Sequence, residues 1–226
     1  MSIFKEIRNI LLNSRIPSED IEELFGNKDF KESNFNIIED LKRIPQDKKF
    51  HPEGNVFNHT KMVVDYAAIL KDMAINRENL MWAALFHDIG KISTTKFIKG
   101  RYRSYNHDNE GEKITYNILK NFMSEDNAKD IALIVRYHMH HIYILKDLPF
   151  SDIEGLLKSD KLNDIFLLFI CDKLGRGFYT LKEKEETFKD INEILKKLER
   201  FKEIELNDIR KIISDAKGII LKDSVV

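Results

Sequence analysis

His59, the pair His87-Asp88, His107, His138 and Asp172 follow one another along a chain of 226 residues, and together they offer four imidazoles and two carboxylates to one site. Neutral imidazole and carboxylate bind divalent transition metals, and one carboxylate can bridge two ions. The set reads as a two-metal hydrolytic centre. Imidazoles outnumber carboxylates, which favours Mn, Fe, Co, Ni or Zn over magnesium, an ion that prefers oxygen ligands and keeps its waters. A hydroxide held by two such ions is a nucleophile at neutral pH, and the ions also stabilise charge on an attacked phosphorus. Phosphoester hydrolysis is therefore the chemistry this set suits.

These side chains need elements that bring them together, and the sequence offers mostly helices. Only four prolines and nine glycines interrupt the chain. Apolar spacing predicts a first helix through Ile3, Ile7, Ile10 and Leu11. A second starts at Ser18-Glu19-Asp20 and stops near Gly26, and a third covers Phe35 to Leu41, ended by Pro45. A polar loop from Gln46 to Asn55 holds the His51-Pro52-Glu53-Gly54 turn. Asn58 is a candidate cap for the next helix, whose expected inner face carries His59, Met62, Val63, Tyr66, Ile69 and Leu70. Asn76 caps a helix from Arg77 to His87 that is apolar on most sides and so belongs at the centre, with Gly90 suited to the position past its end. Lys91 to Tyr105 reads as a loop or small hairpin and Glu110 to Phe122 as helix. Ser124 caps a helix with Ile131, Ile134, Val135 and His138 on one face. Ser151-Asp152-Ile153-Glu154 resembles a capping box. Asn163 to Leu174 is a second buried helix stopped at Gly175, Leu181 to Phe201 is long and charged, and a last helix lies near Asn207 to Ala216.

The expectation is an all-α fold in one domain, with an N-terminal helical extension over 1–45, a core over 46–178 and C-terminal helices over 179–226. His87 and Asp88 end a buried helix, so both can leave an apolar wall and enter a cleft. Neighbours on a helix diverge by about 100°, which lets His87 face one ion while Asp88 spans to the second.

Composition narrows the classes. Lys+Arg total 37 and Asp+Glu 38, a formal charge of -1, which argues against a broad nucleic-acid coat but leaves room for a local basic patch. A single cysteine, Cys171, excludes an internal disulfide and points to a cytoplasmic location. The charged start and the short apolar run Ile165 to Cys171 predict neither a signal peptide nor a membrane span.

His87-Asp88-Ile89-Gly90-Lys91 resembles the signature of the HD-domain metal-dependent phosphohydrolases. The segments His51 to Thr60, Ser104 to Asp108, Arg136 to Met139 and Asp172 to Gly177 resemble further motifs of that family. The likeness runs roughly from Pro45 to Phe178. It is closest to the HD domain attached to bacterial CCA-adding tRNA nucleotidyltransferases and to stand-alone or kinase-linked relatives. The resemblance implies an all-α HD bundle and hydrolysis of phosphomonoesters or phosphodiesters, including 2',3'-cyclic nucleotides and RNA ends. It assigns His59, His87, Asp88 and Asp172 to a first ion and Asp88, His107 and His138 to a second. His140 and His141 compete with His138, or are loop or surface residues. Asn55 stands where the family often has Asp. No nucleotidyltransferase motif is found, so nucleotide addition is not expected.

Several cations are candidates for substrate contact. Lys91 either reaches a bound phosphate or neutralises a helix end. Arg176, between two glycines, either forks a phosphate or is a solvated loop residue. Lys96, Lys99, Arg101 and Arg103, interleaved with Phe97, Tyr102 and Tyr105, form either a basic aromatic flap for a nucleotide or RNA end or a solvated hairpin. The expected partner is a phosphate ester, with nucleic acid possible. Two other classes stay open: an HD-type di-iron oxygenase, and a non-catalytic module that binds nucleotide, RNA or a partner protein.

Overall fold

Apolar residues spaced for one helical face pull most of this chain into helices around one connected core. The computed structural model describes residues 2–47, 49, 51–177 and 179–222. Its elements are α1 (Ile3–Asn13), α2 (Pro17–Glu23), α3 (Lys28–Lys31), α4 (Ile37–Asp40), α5 (Val56–Leu70), α6 (Arg77–Phe86), α7 (Lys91–Thr94), β1 (Thr95–Ile98), β2 (Arg101–Ser104), α8 (His107–Leu119), α9 (Glu125–Tyr137), α10 (His140–Leu145), α11 (Ile153–Lys158), α12 (Leu162–Leu174), α13 (Leu181–Lys202) and α14 (Asn207–Lys222). The fold is all-α, with one two-stranded hairpin.

The two helices expected at the centre are there. Leu80 to Leu85 of α6 and Ile165 to Cys171 of α12 have essentially no exposed surface. Because they are apolar on every side, they pack on several partners: α6 on α5, α9 and α12, and α12 also on α5. Asn76 accepts from Glu78 N and Asn79 N to start α6. Buried Asp164 of α12 accepts from Ile75 N and Asn76 N, which fixes the same turn from the other central helix.

The flanking helices buttress this core. Phe4 of α1 stacks on Trp82 at 5.5 Å, and Arg8 grips Glu78 with two hydrogen bonds of 2.7 Å. The charged α13 buries Phe188, Ile191, Ile194, Leu195 and Leu198. Its Lys197 donates to Ile144 O and Leu145 O, satisfying the free carbonyls at the end of α10.

Local details differ from the sequence reading. The cap of α5 is Asn55, whose side chain accepts from Asn58 N, so the helix starts before Asn58. Helix α11 is capped by Asp152 and not by Ser151, while a capping box occurs at Thr180 and Glu183. The third predicted helix breaks into a four-residue α4 between 3-10 turns. Helix α8 begins at His107, three residues early, and α14 runs on to Lys222. After α7 the chain forms the hairpin alternative, with Lys99 and Gly100 both at positive φ in its two-residue turn.

Candidate metal centre

All six expected ligands lie at helix ends or on inner helix faces and converge on one buried cluster. His59 sits on the first turns of α5, His87 caps α6, and Asp88 follows in the turn to α7. His107 opens α8, His138 caps α9, and Asp172 is near the end of α12. None is more than 4% exposed.

Two close approaches make the convergence possible. A Cβ at Gly90 would fall 2.1 Å from His107 O, so the α6–α7 turn lies directly on the start of α8. A Cβ at Gly175 would fall 2.5 Å from Val63 Cγ2, so the end of α12 lies on α5. Gly90 has φ -66, so the lack of space, and not a left-handed backbone, demands glycine there.

The histidines share one orientation. Nδ1 of His59, His87, His107 and His138 donates to the carbonyl of Gly175, Ala84, Ser104 and Val135, at 2.9, 2.8, 2.7 and 2.6 Å. A carbonyl can only accept, so each Nδ1 carries a proton, and the neutral form of each ring has its Nε2 lone pair facing inward. The His87 Nε2 is buried without a hydrogen-bond partner among the described residues. The Nε2 atoms of His107 and His138 face each other at 3.2 Å. Two lone pairs at that distance repel unless a cation or proton lies between them.

Asp88 joins two groups. Its Oδ1 is 3.3 Å from His107 Nε2 and 3.5 Å from His138 Nε2. Its Oδ2 is 3.4 Å from His87 Nε2 and 3.7 Å from His59 Nε2, and His59 Nε2 is 3.1 Å from Asp172 Oδ1. Ligands about 2.0–2.2 Å from one ion stand about 2.9–3.6 Å apart in tetrahedral or octahedral geometry. All but the 3.7 Å between His59 Nε2 and Asp88 Oδ2 fit that range, and both His59, His87, Asp172 and Asp88, His107, His138 could hold an ion. His51, Glu53 and His59 form a third cluster, but the His59 Nδ1 that faces Glu53 already donates to Gly175 O.

Charge around the carboxylates keeps them ionised. Burial raises the Asp88 carboxyl, but the Lys91 ammonium beside it outweighs this and holds it well below the ordinary range. Burial likewise opposes ionisation of Asp172, and the Arg176 guanidinium that donates to it outweighs this.

The other expected residues fall in varied places. Lys91 is not a helix-end cation: its Nζ lies 2.6 Å from Asp88 Oδ2 and 2.8 Å from Gln46 Oε1, nearly buried. Arg176 is not a solvated loop residue, since it donates to Asp172 Oδ1 at 3.1 Å. A cleft of about 730 Å³ opens over this floor, lined by Lys91, His107 and Arg176 and by Arg101 and Arg103 of β2. Lys96, Phe97 and Lys99 do not line it. His140 and His141 are 2% and 0% exposed, which corrects the loop or surface reading. His141 repeats the shared orientation, with Nδ1 on His138 O and Nε2 3.5 Å from Asp172 Oδ2. The chain turns at His138 and Met139 between α9 and α10, and this turn redirects His141 in a way helical spacing alone did not reveal. Buried Cys171 has its thiol pushed up by burial and beside Asp172, and stays a core residue.

Comparison with known proteins converges on the same segment. A family model described as "HD domain" matches residues 56–177. The chain is 36% identical over 143 residues to a "Multifunctional CCA protein" of Actinobacillus pleuropneumoniae serotype 5b (strain L20), covering 60% of this chain and 34% of that protein. It is 28% identical over 158 residues to the protein of the same name from Pasteurella multocida (strain Pm70), covering 66% and 37%. The match to the one from Haemophilus influenzae (strain PittGG) is 25% over 190 residues, covering 80% and 44%. The chain therefore spans less than half the length of these curated relatives. Among the described residues no helix is long and apolar enough to cross a membrane.

Proposed function

The chain belongs to the HD-domain family, and from that premise we propose that it is a metal-dependent phosphohydrolase acting on a nucleotide, a 2',3'-cyclic phosphate or an RNA-terminal phosphate. The observation that carries this reading is Asp88, whose two oxygens face two separate pairs of inward-pointing Nε2 atoms. Two divalent ions of imidazole-preferring type (Mn, Fe, Co, Ni or Zn) would be held by His59, His87, Asp88 and Asp172, and by Asp88, His107 and His138. Bound there, they supply Lewis acidity toward the phosphate and toward the attacking water.

The chain's own residues do the rest. The backbone carbonyls fix each ring, so little reorganisation accompanies catalysis. Lys91 spends two of its three donors on Asp88 and Gln46, leaving one for a substrate oxygen in the cleft. Nε of Arg176 is buried without a hydrogen-bond partner among the described residues, as is Nε of Arg103. Both arginines line the cleft, and an anionic phosphate ester satisfies such donors. Arg101, on the same strand as Arg103, extends the positive edge. These cations favour hydrolysis of an anionic ester over the oxygenase reading. An RNA end belongs among the substrates because the similar proteins are multifunctional CCA proteins.

The test is turnover by purified protein supplied with manganese, cobalt or nickel. The substrates are an aryl phosphodiester and nucleoside 2',3'-cyclic phosphates. Hydrolysis that chelation abolishes is expected. No turnover with any metal, from protein whose far-UV spectrum and melting are those of a folded helical domain, overturns the reading.

A further inference from the structure

The cleft is larger than a phosphate needs. At about 730 Å³ it lies within the roughly 300–1,000 Å³ typical of small-molecule sites, so a phosphate on the Lys91 and Arg176 floor leaves most of it for the rest of the substrate. Besides the β2 arginines, part of the lining comes from α10, the residue that precedes it and the turn after it, of which only Met139 lies in a segment the motifs marked. Met139, Ile142, Tyr143, Leu148 and Phe150 make that part apolar and aromatic, with Lys146 among them.

Tyr143 and Phe150 are built to hold a flat ring. They meet edge-on at 5.7 Å, and Phe150 leaves 66% of its surface open. Tyr143 Oη donates to Asp108 Oδ2 at 3.3 Å, and burial together with Asp108 pushes the phenol pKa up, so the proton stays and the ring is pinned. Asp147 adopts a left-handed backbone (φ 50) that turns the chain from α10 toward Phe150. Lys197 of α13 secures the same turn by bonding Asp147 and the last carbonyls of α10. The aromatic wall is thus braced from behind. Tyr105 also lines the cleft, is 62% exposed and is held by a 2.7 Å hydrogen bond from Arg103.

We propose that the Tyr143–Phe150 wall is a nucleobase subsite, which stacks the base of a nucleotide whose phosphate lies on the Lys91 and Arg176 floor. This rests on the phosphohydrolase reading for the position of the phosphate. It commits the substrate to one that carries a base, in place of a bare or sugar phosphate. Charge supports the same occupant. Lys146, Arg101 and Arg103 around an apolar wall suit an anionic ligand with a flat ring, and stacking on exposed aromatics tolerates any base.

The experiment is equilibrium binding by calorimetry to manganese-loaded protein. The probes are an adenosine methylenephosphonate, whose P–C bond is not hydrolysed, and the same ribose phosphonate without its base. The base-bearing ligand should bind about five-fold tighter or more, since one base stacked on an aromatic side chain contributes about five-fold to a hundred-fold. Phe150→Ala, at an exposed position where folding is not at risk, should cut the affinity ratio about five-fold or more. Tyr143→Leu is the second variant, and 2-aminopurine in place of adenine should lose fluorescence on binding the native protein. Equal affinity for the two ligands, or a ratio that neither variant changes, overturns the subsite. If the base-bearing ligand binds as expected but no ester is hydrolysed with any metal, the phosphohydrolase reading fails alone. If esters are hydrolysed equally well with and without a base, the subsite fails alone.

Discussion

Gly90→Ala adds one methyl group at the point where the α6–α7 turn touches α8. The new Cβ would lie 2.1 Å from His107 O and 2.6 Å from Gly111 N, both backbone atoms that cannot swing aside. Restoring an ordinary contact of 3.4 Å needs a retreat of about 1.3 Å (3.4 minus 2.1) by the start of α8. Overpacking of this kind costs about 1–3 kcal/mol, and in a domain of this size each kcal/mol lowers Tm by about 2–4 °C. The expected loss is therefore about 2–12 °C. The displacement also carries His107, whose Nε2 is 3.3 Å from Asp88 Oδ1. Ligand distances tolerate about 0.2 Å, so the position held by Asp88, His107 and His138 should weaken while that of His59, His87 and Asp172 survives. Differential scanning calorimetry gives the first quantity and metal content per chain the second. Gly218→Ala is the control: it lies in α14 with nothing within 4 Å of its Cβ, and alanine there should stabilise by about 0.5–1 kcal/mol. A Gly90→Ala protein that melts with the native one and keeps its full metal content refutes the argument.

Three further outcomes are expected. Asp88→Ala should abolish turnover and release all bound metal, and retained biological activity in that variant would favour a non-catalytic module. Asp164→Ala leaves Ile75 N–H and Asn76 N–H without their buried acceptor, and urea melts should show a loss of about 1–3 kcal/mol or more with metal content unchanged, whereas an unaltered midpoint would mean that water replaces the carboxylate. In chelator-treated protein, burial depresses His51 to about 4 and His141 to about 3, while neighbouring cations hold Asp88 and Asp172 well below 3.8. Depressed values mean that the unfolded chain binds protons first, so stability is present above the unfolded pKa values and is lost as pH falls. The decline should begin below 6.5 for the histidines and steepen below 3.8 for the carboxylates, and a flat urea midpoint across that window contradicts it.

The six side chains that converge around Asp88 could be picked out beforehand because a metal site calls for particular residue types, and those types survive in the sequence whatever the packing. The central helices α6 and α12 were legible because a segment apolar on all faces has nowhere else to go. Other features depend on residues far apart in sequence. The hold of Gln46 on Lys91 crosses 45 positions, and the one from Tyr143 to Asp108 crosses 35. No periodicity records such pairings. His141 was ambiguous because one turn between α9 and α10 decides its direction, and Asn55 and Asn58 are equally good caps until the backbone chooses. Phe150 carried no signal at all, since an aromatic residue in a loop acquires meaning only from what stands opposite.

The most direct test of the central claim is the number of ions held around Asp88. Native protein reconstituted with manganese and freed of excess metal should contain two ions per chain by emission spectrometry, with the spin-coupled paramagnetic resonance of a bridged pair. His107→Ala should hold one ion and lose the coupling. Native protein that holds at most one ion, or two that show no coupling, contradicts the account.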